Sequence, residues 1–128
     1  MSSEQERNLA VVQHWVDTYN DDVERMVDEC YAPDCAVQNM ATGQVYHGRE
    51  ELRTLERQIS ARAPGRRMIV SRMLAAGDAV VVEVEATGFE DRPDQPRLAA
   101  CIVLTLKDGL IISDHTYATA RPTPPASL

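Results

Sequence analysis

The spacing of apolar residues changes along this chain, and that change limits the fold more than any other feature. Leu9, Val12, Trp15, Val16 and Tyr19 recur at three- and four-residue intervals, which predicts an amphipathic helix ending at Asn20-Asp21. Ser3 and Glu6 have the S-x-x-E form of a capping box at its start. Val23, Met26, Val27, Cys30 and Tyr31 repeat the pattern, and Pro33 stops this second helix. Cys35 to Met40 reads as a short strand, followed by a loop from Ala41 to Gly48. A third helix starts at Arg49, carries Leu52, Leu55 and Ile59 on one face, and stops at Pro64-Gly65. From there the period is two. Arg67–Ala76, Ala79–Thr87, Arg97–Leu106 and Leu110–Ala118 read as strands rich in Val, Ile and Leu.

The strands are joined by Gly77-Asp78, a polar loop from Glu90 to Pro96, and Lys107-Asp108-Gly109. Short links between neighbours imply antiparallel pairing. Three helices with such a sheet define an α+β class. A cone-shaped, curved antiparallel sheet closes on one side only, so its concave face needs a plug of side chains or a ligand. Residues 1–120 read as one domain, and 121–128, with three prolines in eight residues, as a loose tail.

The formal net charge of −7 disfavours nucleic acid and anionic membrane surfaces as partners. No apolar run approaches the roughly 20 residues of a membrane span. The polar start MSSEQERN does not resemble a signal peptide, so a cytoplasmic location is expected. Cys30, Cys35 and Cys101 lack a CxxC spacing, and His14, His47 and His115 are scattered, so neither disulfides nor a metal site is expected. There is no GxGxxG or P-loop, and no cofactor is expected.

Three stretches carry a resemblance. Tyr31-Ala-Pro-Asp-Cys-Ala-Val-Gln-Asn39-Met40, Tyr46-His-Gly-Arg-Glu-Glu-Leu52 and Lys107-Asp-Gly-Leu-Ile-Ile-Ser-Asp-His-Thr-Tyr117 are similar to segments of the nuclear transport factor two-like, or SnoaL-like, superfamily. Its members include ketosteroid isomerase, polyketide cyclases, scytalone dehydratase and limonene-1,2-epoxide hydrolase. The resemblance implies a cystatin-like α+β barrel. It also implies four catalytic candidates. Asn39 matches the strand position of the isomerase base, where an amide positions water or an oxyanion but takes no proton. Glu85 matches an acid of the hydrolase, and Glu83 stands where that enzyme has an arginine. The hydrolase base falls at Thr116, and Asp114, two residues earlier, shares its face.

Strand alternation puts Val80, Val82 and Val84 on one face and Val81, Glu83 and Glu85 on the other. Either the second face is in water, or both carboxylates enter the pocket. The resemblance favours the pocket, which leaves the Val80 face as a homodimer surface. The last hairpin has two registers. A two-residue Asp108-Gly109 turn pairs Leu106 with Ile111 and puts His115 and Tyr117 on the Leu104 face. A three-residue loop pairs Leu106 with Leu110 and puts Asp114 there, the arrangement the resemblance favours. Trp15, Tyr19, Tyr31, Met40, Leu55, Ile59 and Leu104 are the candidate pocket walls. Arg49, Arg53 and Arg57 form a stripe expected to pair with Glu50 and Glu56 in solvent.

The resulting expectation is a cofactor-independent enzyme acting on a small hydrophobic molecule of polyketide, terpenoid or steroid type. Isomerisation, cyclisation, dehydration and epoxide hydrolysis all fit. The competing expectation is a non-catalytic binding or dimeric scaffold module of the same fold.

Overall fold

The computed structural model describes residues 2–89 and 98–120. The tail at 121–128 and the loop at 90–96 lie outside the described residues. The elements are α1 (Ser3–Asp21), α2 (Val23–Cys30), β1 (Tyr31–Asn39), β2 (Val45–His47), α3 (Gly48–Arg62), β3 (Arg67–Ala76), β4 (Ala79–Thr87), β5 (Leu98–Lys107) and β6 (Leu110–Ala120). The capping box of α1 sits one residue earlier than its sequence form suggests. Ser2 Oγ accepts from the Gln5 N–H at 3.1 Å, and Gln5 Oε1 accepts from the Ser2 N–H at 3.1 Å. Asp22 closes α1 and opens α2, its carboxylate accepting from the Glu24 and Arg25 N–H groups. One extended residue thereby turns the chain sharply between two helices.

The strand order is β2-β1-β6-β5-β4-β3. The sheet is mixed, not wholly antiparallel, because β1 and β6 run parallel. These two strands are far apart in sequence, so no hairpin dictates their direction. The sheet is not closed, and β2 and β3 form its edges. β2 falls inside the loop expected from Ala41 to Gly48, since three residues carry no readable period.

Alternation on β4 holds, but its two faces are the reverse of the expectation. Val80, Val82 and Val84 are 0%, 0% and 5% exposed and join the core with Val12, Trp15, Leu52, Ile102 and Leu104. They cannot form an outer dimer surface. Glu83 and Glu85 point to the opposite, outer face. The core wants the branched aliphatics, and strand parity then sends the carboxylates outward.

The β5–β6 hairpin combines both expected registers. Asp108 (φ 53°) and Gly109 (φ 79°) form the two-residue turn, and Leu106 pairs with Ile111. Ile112 is then an extra residue, so Thr105 faces Ser113 and Leu104 faces Asp114. This bulge flips the parity of the rest of β6. Asp114 turns inward, while His115 and Tyr117 turn outward. At the end of β4, Gly88 (φ +84°) lies against the α3–β3 turn. A Cβ there would meet the Gly65 carbonyl oxygen at 2.2 Å.

Candidate active site

A cavity of about 220 Å³ lies between the inner face of the sheet and the helices. Most of its wall is apolar or aromatic, with Trp15 and Tyr19 from α1, Leu55 and Ile59 from α3, and Val84, Ala100 and Ile102 from the sheet. Tyr19, Asn39, Tyr46, Leu55 and Ile59 also border a wider vestibule of about 480 Å³, whose rim carries Arg62 and Phe89. Local pairings fix these walls. Both ends of the Asn20 amide bond the Met68 backbone, at 2.9 and 2.7 Å, and tie α1 to β3. The Arg49 guanidinium donates twice to the Tyr31 carbonyl, at 2.9 and 2.7 Å, and fixes the start of β1.

The cavity holds a chain of polar side chains. Trp15 Nε1–H donates to Tyr31 Oη at 2.9 Å. Tyr31 Oη–H donates to Asp114 Oδ2 at 2.8 Å. Thr116 Oγ1 donates to Asp114 Oδ1 at 2.7 Å. Asp114 is 4% exposed. Burial pushes its carboxyl above the usual aspartate range, against the opposing pull of the Thr116 and Tyr31 hydroxyls. Burial, together with the charge of Asp114, pushes the Tyr31 phenol well above its ordinary value, so Tyr31 stays a neutral donor. Each carboxylate oxygen accepts one bond here and keeps lone-pair capacity for a ligand. Asp114 is therefore a held, desolvated carboxylate facing apolar space.

A second acid, Glu56, also lines the cavity. It is 9% exposed, and its Oε2 is buried with no hydrogen-bond partner among the described residues. Burial drives its pKa from 4.5 up to about 7; Arg66 opposes this and Asp114 adds to it. The Arg66 guanidinium lies over the Tyr19 ring, 5.0 Å from its centre. Glu56 is thus not one of the solvated partners expected for the arginine stripe. Arg53 bonds Glu24 and Asp28 of α2, at 2.8 and 2.6 Å, as well as Glu50. Arg57 also bonds Glu24. With the arginines turned to α2, Glu56 is left on the apolar side. The signal was present: Glu56 lies one turn after Leu52, on the same face.

The other candidates are distributed as follows. Trp15, Tyr19, Tyr31, Leu55 and Ile59 line the cavity. Leu104 is fully buried behind the wall, and Met40 is not part of the lining. Asn39 stands at the rim, where its Oδ1 accepts from the Ala41 and Thr42 N–H groups at 3.0 and 3.3 Å. That oxygen holds a turn and does not aim at a substrate. Glu83 pairs with Arg72 at 2.6 Å on the outer face, and Glu85 shares that face. The expected acidic lining of Glu83, Glu85 and Asp114 is thus replaced by Asp114 and Glu56. His14 pairs with Glu29 at 2.8 Å away from the cavity, and His47 is exposed at the start of α3. Among the described residues, no cluster of His, Cys, Asp or Glu could hold a metal ion. No described helix is long and apolar enough to cross a membrane.

The raised pKa of Glu56 links the site to stability. The folded state holds a proton on Glu56 up to about pH 7, whereas the unfolded chain loses it near 4.5. Stability is therefore expected to fall as pH rises between those values, by about 3 kcal/mol, and to level off above them. Urea unfolding across this window checks it. Glu56→Gln should remove most of the slope.

No curated protein matches this chain by sequence. Solved structures do resemble it in fold. A candidate SnoaL-like polyketide cyclase from Jannaschia sp. CCS1 is 21% identical, with a TM-score of 0.80 over 92% of this chain and 89% of that one. A candidate ketosteroid isomerase from Kribbella flavida DSM 17836 is 23% identical, with a TM-score of 0.80 over 95% and 84%. An NTF-2-like protein of unknown function from Burkholderia xenovorans LB400 is 13% identical, with a TM-score of 0.79 over 98% and 93%. The sequence profile of the SnoaL-like domain matches residues 12–113. With that match spanning most of its length, the chain belongs to the SnoaL-like domain family.

Proposed function

We propose that this protein is a cofactor-independent enzyme that moves a proton on a small hydrophobic molecule, with Asp114 as the base. One observation carries the reading. Asp114 is a buried carboxylate, held by two hydroxyl donors, that opens onto an apolar cavity. Such a group is poorly solvated, which strengthens it as a base, and its donors fix its direction. Isomerisation and cyclisation fit this arrangement best, because both begin with loss of a proton from carbon. Relatives of the same fold with cyclase and isomerase names are consistent with it. Epoxide hydrolysis is less well supported, since the β4 acids that it would use face outward. A pure binding module would not need a desolvated carboxylate in its cavity. The test is exchange of the acidic hydrogens of an enolisable ketone, 1-indanone, in heavy water, followed by proton NMR. The wild-type chain should accelerate the exchange, and Asp114→Asn should not.

Homodimerisation through the sheet belongs to the same proposal, now on the outer face. Ile69, Leu74 and Tyr117 are each about half exposed there. The strand register places Leu74, Val81, Val103 and His115 in one row and Arg72, Glu83, Cys101 and Tyr117 in the next. Half-exposed apolar side chains set among charged ones in this way are favoured by burial against a second copy. Leu74→Lys is expected to shift sedimentation from dimer to monomer while leaving ketone exchange by the chain intact. A wild-type monomer at micromolar concentration would contradict it.

A further inference from the structure

We propose that Glu56 is the proton donor that works opposite Asp114, so that the cavity takes compounds with a carbonyl oxygen beside an acidic C–H. The inference rests on Asp114 as the base and adds the second catalytic residue and the substrate class.

The geometry carries it. Glu56 enters the cavity from α3, whereas Asp114 enters from β6, and both line the same apolar space. Asp114 has two hydroxyl partners, but Glu56 Oε2 is buried with none among the described residues. A buried polar atom without a partner is costly, and an ionised one far more so. The carboxyl is best kept neutral, as an O–H donor whose acceptor the ligand supplies. The groups around it agree. Asp114 and Tyr31 lie on the sheet side, Tyr19 on α1, and Arg66 after α3. Of these, only Arg66 favours ionisation of Glu56, and burial outweighs it, leaving the carboxyl protonated up to about pH 7.

The step balances with no other reagent. The Asp114 carboxylate removes a proton from the carbon next to the carbonyl. The C–H electron pair becomes a carbon–carbon double bond, and the carbonyl π pair moves to oxygen. That oxygen takes the Glu56 proton, giving an enol. Asp114, whose captured proton exchanges with solvent in the interval, then protonates the same carbon, or a conjugated one further along, and Glu56 regains its own. Burial raises both acids, but Asp114 has two hydroxyl donors that favour its ionised form and Glu56 Oε2 has none among the described residues, so the two suit opposite roles. A carboxylate on both sides would instead repel the developing oxyanion.

The test uses the full chain, 1-indanone as probe, and Glu56→Gln and Glu56→Leu variants whose melting is recorded alongside. Wild-type exchange is expected to fall as pH rises through about 7, where Glu56 loses its proton. Glu56→Gln keeps an N–H donor but does not titrate, so that fall should vanish. Glu56→Leu should lose about 10²-fold, the usual loss for a missing oxyanion donor. Persistence of the fall in a folded Glu56→Gln variant would overturn the proposal. Carbon-13 NMR of labelled glutamate gives an independent readout. The Glu56 carboxyl should titrate near 7, and higher still with 1-indanone bound. If wild type and Asp114→Asn exchange alike, the base assignment fails alone, and the titration still decides Glu56. No ketone-dependent shift there would refute the donor role.

Discussion

Asp114→Asn is expected to lower the enzyme-promoted exchange of 1-indanone by about 10³-fold, in line with the usual contribution of a general base. The substitution removes one property and keeps the rest. Asparagine has the same shape, and its amide oxygen accepts from Tyr31 or Thr116, the two donors now on the carboxylate. It has no free carboxylate pair to take a proton. Melting should move by only a few degrees, because losing a hydrogen bond is offset by no longer burying a charge. Full loss of exchange with retained melting is the signature of a base. Exchange at the wild-type rate would remove Asp114 from the mechanism.

Gly88→Ala is expected to destabilise the protein by about 3 kcal/mol, from left-handed backbone strain together with overpacking. The added Cβ would lie 2.2 Å from the Gly65 carbonyl oxygen, 2.6 Å from its carbon and 2.8 Å from the Arg66 Cα. All three atoms are backbone, so no side chain can swing aside. The φ of +84° adds strain of its own. Melting should drop by on the order of 10 °C. Gly43→Ala is the control for φ alone, since it has φ +81° but meets nothing within 4 Å. Equal losses in the two variants would show that the close approach is unimportant.

The architecture was largely legible in the sequence because amphipathic periods are a direct imprint of burial. The ends of β3 and β4, and the end of α1, fall where the residues place them. The site was less legible, for identifiable reasons. Alternation along β4 separates two faces without saying which is inside, and Glu83 and Glu85 were placed on the wrong one. Packing of Val80, Val82 and Val84 decides it. The Ile112 bulge leaves no mark in the local pattern, yet it alone turns Asp114 inward past a two-residue turn. Tyr31 read as a wall, although a buried phenol needs a hydrogen-bond partner. Glu56 was hidden by its neighbours: in a helix dense with arginines, a glutamate looks paired, and only the tertiary course of Arg53 and Arg57 shows otherwise.

The parallel pairing of β1 with β6 also bears on how the protein reaches its working form. The pairings from β3 to β6 link sequence neighbours and can zip up locally. Tyr31 and Asp114 are 83 positions apart, so their contact closes a long loop. Loops of that size are slow to close, and contacts across them tend to form late. The hydrogen-bonded chain from Trp15 to Asp114 therefore comes into being with the final topological step, after synthesis has passed β6. A ligand that needs both ends of this chain binds only molecules that have completed that step. By mass action it would draw nascent or partly opened chains toward the finished state, so that ligand supply and folding yield become linked quantities.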